Sequence, residues 1–417
     1  MTKGMHDIET IRKQFPLLHE KINGKSLVYF DNAATTQKPQ RVLDALNQYY
    51  THDNANIHRA AHSLAARATE YFEATRKTVQ QFIHAAEVEE VIFTKGVTES
   101  INLVAQTYGR SVLKPGDEVL ITGMEHHSNI VPWQMICEEK GAILRVIPVN
   151  DAGELLLDSI DTLLTIKTKI LSCVWVSNAL GTINPVKKLI EYAHTVGAVV
   201  LLDGAQACAH LEVDVQDLDC DFLAMSSHKL YGPTGVGVLY GKRALLDAMP
   251  PYQGGGEMIQ EVTFAKTTYN ELPYKFEAGT PNIADVIAFG KAIEFVNETG
   301  KETLSKIESG LMEHCSKGFD SINEKYPGTS PIVRIGTAHK KISVQSFILP
   351  AMHPFDVGMM LDARGIAVRT GHHCTQPLMR HFGLEGTIRA SFAAYNTEQE
   401  IDVFIQALEN IVRHSNK

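Results

Sequence analysis

The sequence predicts an α/β protein with a large, mainly parallel sheet joined to a smaller α+β unit. Three observations lead there. Between Val91 and Lys229, short apolar runs rich in β-branched residues alternate with helical stretches, the pattern of strands and crossovers in a sheet covered on both faces. The last apolar residue of several runs is followed by small or polar residues, and ligands on such sheets sit at the carboxyl ends of the strands. Beyond Arg243 the alternation gives way to a loop-rich stretch and then to mixed helices and strands. At 417 residues the chain is long enough for two cores.

Taken in order, the pattern places a short helix at 8–18, a strand at 26–30 and a helix at 42–50. Helical spacing runs over 63–85. Strands follow at 91–93, 118–122, 143–149, 170–176, 198–202 and 221–225, with helices through 105, up to 140, and at 156–164 and 185–196. A long helix at 283–299 links to a helix at 303–326, a strand at 342–349, a helix at 356–364 and strands at 366–369 and 389–392. The last helix opens on the capping box Thr397–Glu400 and carries Ile401, Phe404, Ile405 and Leu408 on one face. The expected division is a large unit over 31–282, a connecting helix over 283–299, and a small unit from 1–30 with 300–417.

Composition narrows the function classes. A net charge of −9 argues against a nucleic-acid binder. No apolar run approaches the roughly 18 residues of a membrane span, and the first residues lack the apolar stretch of a secretion signal. Six cysteines lie scattered without a Cys-x-x-Cys pair, as expected of reduced thiols in a cytoplasmic protein.

The chemistry gathers at the predicted strand ends. The run Ala198–Leu202 stops on Asp203, with Gln206 shortly after, and the next run ends on Ser226-Ser227-His228-Lys229. A buried acid beside a lysine and hydroxyls suits a cofactor with a basic ring nitrogen, an aldehyde and a phosphate, which describes pyridoxal phosphate. An ordinary ion pair at a sheet edge explains the same two residues. Thr98, with Glu99 beside it, stands at a predicted helix start, where free N–H groups bind phosphate, although a threonine there also serves as a simple cap. His126 is a flat ring at the same edge, able to stack on a pyridine or to be a structural histidine. Asn178 falls at the end of another strand. Cys374, next to His372 and His373 and near Arg369, is placed as a nucleophilic thiolate. Together with Glu125-His126-His127 it offers metal ligands as the rival reading, and we expect no metal. Arg389 opens a buried strand, where a guanidinium clamps a substrate carboxylate or closes a structural salt bridge.

Six stretches together identify a family: Asp31–Thr35, Met124–Trp133, Asp203–Gln206, Ser226–Pro233, Phe276–Asn282 and Arg369–Cys374. Over nearly its whole length the chain resembles the group II, SufS-type cysteine desulfurases of iron–sulfur cluster assembly. These are pyridoxal-phosphate-dependent transferases of the aspartate-aminotransferase-like fold, fold type I. The resemblance implies that Lys229 bonds the cofactor, Asp203 holds the ring nitrogen, and Gln206 and Asn178 flank the ring oxygen. His126 stacks on the ring and moves protons, while Thr98, Glu99, Ser226 and His228 hold phosphate. Thr280 reaches the phosphate of a neighbouring subunit, which makes a homodimer. Arg389 binds the carboxylate of L-cysteine, with Asn178, His58 and Arg369 around the substrate, and Cys374 takes its sulfur as a persulfide. Family members served by a zinc-containing acceptor carry a histidine at a helix start where this chain has Phe355, which implies a SufE-like acceptor. L-selenocysteine or cysteine sulfinate are alternative substrates; an aminotransferase or epimerase on the same fold, which leaves Cys374 without a task, and a catalytically idle sulfur-relay or scaffold protein are more distant rivals.

Overall fold

A computed structural model describes residues 8–327 and 331–414. The first seven residues of the expected small unit therefore lie outside the described residues. Its centre is a seven-stranded sheet in the order Val91–Thr94, Gly237–Gly241, Phe222–Ser226, Val199–Asp203, Thr168–Val174, Glu118–Thr122 and Ile143–Ile147. Four of the pairings are parallel. Gly237–Gly241 is antiparallel to both of its neighbours, so Val91–Thr94 runs in the common direction. Three interior strands are buried end to end and the other two in all but one residue because helices cover both faces, which is why the parallel ones read as apolar runs. Six strands consequently deliver their last residues to one edge.

The second sheet is antiparallel, in the order Val333–Ile335, Val344–Ile348, Thr387–Ser391 and Arg369–Gly371. The helices Lys301–Lys325 and Glu398–His414 pack together in this region, and Phe319, Phe347 and Phe404 form its aromatic centre. The capping box is present: Glu400 N–H donates to Thr397 Oγ1, and Thr397 N–H to the Glu400 carboxylate. The long helix Ile283–Thr299 is apolar on most of its circumference and packs on helices Gln40–Gln48 and Ser63–Phe82.

Three expectations change. The helix over 156–164 shrinks to Ile160–Leu163, since Leu155 bridges Val149 and Leu156 N–H donates to Pro148 O, drawing that stretch into extended pairing. The strand over 366–369 divides between two sheets. Ile366–Ala367 pairs in parallel with Val28–Tyr29, whereas Arg369–Gly371 joins the second sheet. The strands Gly237–Gly241 and Val333–Ile335 fall outside the expected pattern; the first is a glycine-bounded run straight after a turn, which carries little strand signal.

One close approach fixes an edge of the site. A Cβ on Gly237 would lie 2.4 Å from the Cα of Gly96, in the turn leading into helix Val97–Val104. Gly237→Ala should therefore lower stability by about 1–3 kcal/mol, as overpacking against rigid backbone does, measured as the urea midpoint against wild type.

Candidate active site

A cavity of about 730 Å³ opens along the edge where the parallel strands end. From the ends of the large sheet's strands it takes Asp203 and Ser226, with Gln206, His228, Lys229, His126 and Asn178 from the turns beyond and Thr98 and Glu99 from a helix start. The second sheet and the turn beside it supply Arg369, Cys374 and Arg389. Twelve residues expected at a site are thereby brought together.

Asp203 is the last residue of its strand and is 1% exposed. Burial raises its pKa, while the Ala205 N–H donated to Oδ1 at 2.9 Å and the charge of Lys229 pull the other way. Lys229 ends the turn that follows the adjacent strand. Burial brings its ammonium down to about 8 against the opposing attraction of Asp203. No salt bridge joins the two among the described residues, so each keeps a functional group for something else. Gln206 Nε2 donates to Ala33 O at 2.7 Å. Asn178 Nδ2 donates to His373 O at 2.8 Å, but its Oδ1 is buried without a partner.

At the far end, Ser226 Oγ accepts from Val97 N–H at 3.0 Å, anchoring a helix start whose next amides, on Thr98 and Glu99, have no helical acceptor. Glu99 folds its carboxylate back onto Lys95 N–H at 2.6 Å, so what it leaves open toward the cavity is its backbone N–H. Burial, with Lys229 and Lys38 nearby, pushes His228 down to about 4. Its carbonyl accepts from Thr36 N–H and Thr35 Oγ1, both at 3.0 Å.

His126 Nδ1 accepts from Ser128 N–H at 3.1 Å and meets Ser128 Oγ at 2.8 Å. Burial first, then Lys229, His127 and Arg389, lower its pKa to about 4, so the ring is neutral at pH 7, and the Ser128 N–H donated to Nδ1 leaves its proton on Nε2. The preceding residue, Glu125, is 1% exposed and raised to about 8 by burial. Its carboxyl accepts from Val174 N–H, Thr122 Oγ1 and Asn129 Nδ2, which locks the loop that carries His126.

Arg389 is 2% exposed. It donates to Asn178 O at 2.9 Å and to Asp31 Oδ1 at 3.3 Å, leaving Nε without a partner. Burial lowers its pKa to about 10. Asp31 also accepts a two-point bond from Arg369, at 3.0 and 2.8 Å. One carboxylate thus holds two guanidiniums. The only mark of Asp31 in the sequence is that it is an acid closing a predicted strand.

Five of the six cysteines are buried and Cys374 is exposed. His373 and Cys374 both have left-handed backbones, with φ of 50° and 56°, a strained pair of the sort that clusters at functional sites. His58 and Thr280 stand apart from this cavity. His58 Nε2 pairs with Glu73 at 3.0 Å and its ring lies 5.0 Å from Tyr274, and Thr280 is exposed. A free lysine amine, a buried acid next to it, a helix start with open amides and an orphaned amide oxygen fit a ligand carrying an aldehyde, a basic ring and a phosphate.

Comparison with known proteins agrees with this geometry. Residues 28–404 match the model of the aminotransferase class-V family. A cysteine desulfurase of Pectobacterium carotovorum is 47% identical over 409 residues, 98% of each chain. One from Synechococcus elongatus is 54% identical over 97% of this chain and 64% of its own length. The chain spans 58% to 65% of the length of that relative and two mycobacterial ones. Among solved structures, the Escherichia coli cysteine desulfurase CsdA, in an S-sulfonic acid form, superposes with a TM-score of 0.88 at 39% identity, over 98% of this chain and 99% of that one. The apo cysteine desulfurase of Thermococcus onnurineus gives 0.91 at 37% identity, over 97% and 98%. A match that takes in both sheets, together with relatives of one name along the full chain, settles the kinship: the chain belongs to the aminotransferase class-V family, on its cysteine desulfurase branch.

Proposed function

We propose that the protein is a cysteine desulfurase, converting L-cysteine to L-alanine and carrying the sulfur as a persulfide on Cys374 for iron–sulfur cluster assembly. The observation that carries this reading is the exposed Cys374 on the wall of a cavity that also holds the unpaired Lys229 and Asp203. The large unit, 31–282, forms the cofactor floor, and the small unit, 300–417 with the first 30 residues, supplies the carboxylate clamp and the thiol.

Pyridoxal phosphate, when bound, supplies an aldehyde for amines and a ring that stores electrons. Lys229 would bond the aldehyde, Asp203 would keep the ring nitrogen protonated, Gln206 and Asn178 would face the ring oxygen, and Ser226, His228 and the amides of Thr98 and Glu99 would hold the phosphate. The remaining work falls to the chain. Arg389 anchors the substrate carboxylate, held in place by Asp31 and Asn178 O. His126, neutral at pH 7, moves protons above the substrate. Cys374 Sγ bonds to the substrate sulfur as the carbon–sulfur bond breaks. The electron pair of that bond stays with the carbon skeleton, which is protonated and leaves as alanine. An acceptor thiol then takes the sulfur from Cys374.

The acceptor we infer is SufE-like. Phe355 is 57% exposed and offers no metal ligand, and His353 spends Nδ1 on the Phe355 N–H as a helix cap. Thr280, exposed and outside the cavity of its own chain, is the residue that would reach the site of a second copy in a homodimer with shared sites.

Alanine release from L-cysteine, assayed with and without a SufE-type protein, tests the proposal; stimulation by a zinc-bearing SufU-type acceptor alone would overturn the partner assignment. Cys374→Ala should cut alanine release from L-cysteine at least about 100-fold, since covalent and acid–base steps contribute on that scale, and leave the visible absorbance of the bound cofactor in place. The same variant retaining turnover of L-selenocysteine would identify that substrate as independent of the thiol. Arg389→Lys should raise KM for L-cysteine roughly 10- to 100-fold, the loss of a two-point bond to a charged group. Cofactor-free protein should reload faster as pH rises, because the neutral Lys229 amine is the reacting form. With that ammonium near 8, the rate should climb up to about pH 8 and then level off. A rate still climbing tenfold per pH unit at pH 10 would show an unperturbed lysine.

A further inference from the structure

The segment Glu125–Asn129 presents two adjacent histidines in two directions. His126 lines the cofactor cavity. His127 turns to the loop that carries Cys374. Its backbone N–H donates to Cys374 O at 2.8 Å, and its Nε2 accepts from Gln376 N–H at 3.1 Å. Its ring lies 5.5 Å from that of His372. Within the loop, Cys374 N–H is closed onto His372 Nδ1 at 3.0 Å, and Thr375 Oγ1 donates to His372 O at 2.9 Å. The other ties to the surroundings leave from His373, to Asn178 and Thr387. His127 therefore touches the loop on both sides of the thiol.

We propose that His127 is a positioning residue that docks the Cys374 loop against the cofactor cavity, so that one buried anchor sets both the proton-moving ring and the sulfur nucleophile. The inference rests on the reading of Cys374 as the nucleophile. The anchor is Glu125, whose carboxyl ties Thr122, Val174 and Asn129 together beneath the segment. The Gln376 N–H donated to Nε2 requires that nitrogen to be unprotonated, and burial with the neighbouring His372 lowers the His127 pKa in the same sense. Cys374 has to meet sulfur inside the cavity and afterwards offer it to an acceptor outside. A loop held by a few backbone hydrogen bonds, each of modest net strength in water, is able to do both. An acceptor that competes for the Gln376 amide or displaces the His127 ring would release it.

Hydrogen exchange over the peptide that spans 372–378, read in the holoenzyme alongside steady-state kinetics, tests this. His127→Ala should speed exchange at the Gln376 amide about tenfold, the consequence of losing one hydrogen bond. It should lower kcat for alanine release with KM for L-cysteine and the cofactor absorbance unchanged. His127→Gln, whose side-chain oxygen reaches the position of Nε2, should restore both protection and kcat. The proposal fails if the loop of the alanine variant exchanges at the wild-type rate. It fails equally if the glutamine variant, with wild-type thermal stability, leaves the loop unprotected. Because exchange does not require turnover, a wild-type enzyme that is inactive on L-cysteine but shows the predicted exchange pattern would refute the desulfurase reading and leave the docking role standing.

Discussion

A lysine amine and a carboxylate are buried at the ends of two neighbouring parallel strands without closing an ion pair on each other. Burying charge without a partner is costly, and the rest of the site follows from how that cost is met. Asp203 takes one backbone N–H and otherwise faces the cavity. Lys229 responds by lowering its ammonium to about 8. Both are arrangements a bound ring and aldehyde would complete, and neither improves the fold by itself. The parallel sheet makes them possible, because it brings six strand ends to one edge and leaves their last polar side chains on a shared wall.

The second constraint is the junction between the two sheets. The chain from Asp31 to Lys38 runs across it. Asp31 bridges Ser391 and holds Arg369 and Arg389 on the small sheet. A few residues later Thr35 and Thr36 bind the carbonyl of His228, next to Lys229. Arg389 and Lys229 are thus set against each other by eight residues. From the other direction the Cys374 loop reaches the large sheet through Asn178 and His127.

Much of this was legible in the sequence, and the parts that were not share a cause. Asp203, Lys229 and Asn178 could be read because buried parallel strands appear as apolar runs, and the polar residue that ends each run is conspicuous. Cys374 and Arg389 could be read by chemistry, as a thiol among histidines and a guanidinium opening a buried strand. The role of Asp31 could not, because its partner Arg369 is 338 residues away, nor that of His127, which meets Gln376 across 249 residues. Local patterns carry no information about such contacts. The shortening of the helix expected over 156–164 to Ile160–Leu163 has the opposite origin. Its apolar residues do suit a helix, but pairing with Pro148 and Val149 outweighed that preference. His58 and Thr280 were placed by resemblance alone, and within a single chain they stand away from the cavity.

The central claim is that sulfur leaves L-cysteine onto Cys374. Mass analysis of the protein after a brief exposure to L-cysteine, with no acceptor present, tests it directly. The account predicts one additional sulfur atom on the peptide containing Cys374, removed by a thiol reductant and matched by about one equivalent of alanine. Alanine formed with that peptide unmodified, or sulfur found on one of the five buried cysteines instead, would contradict it.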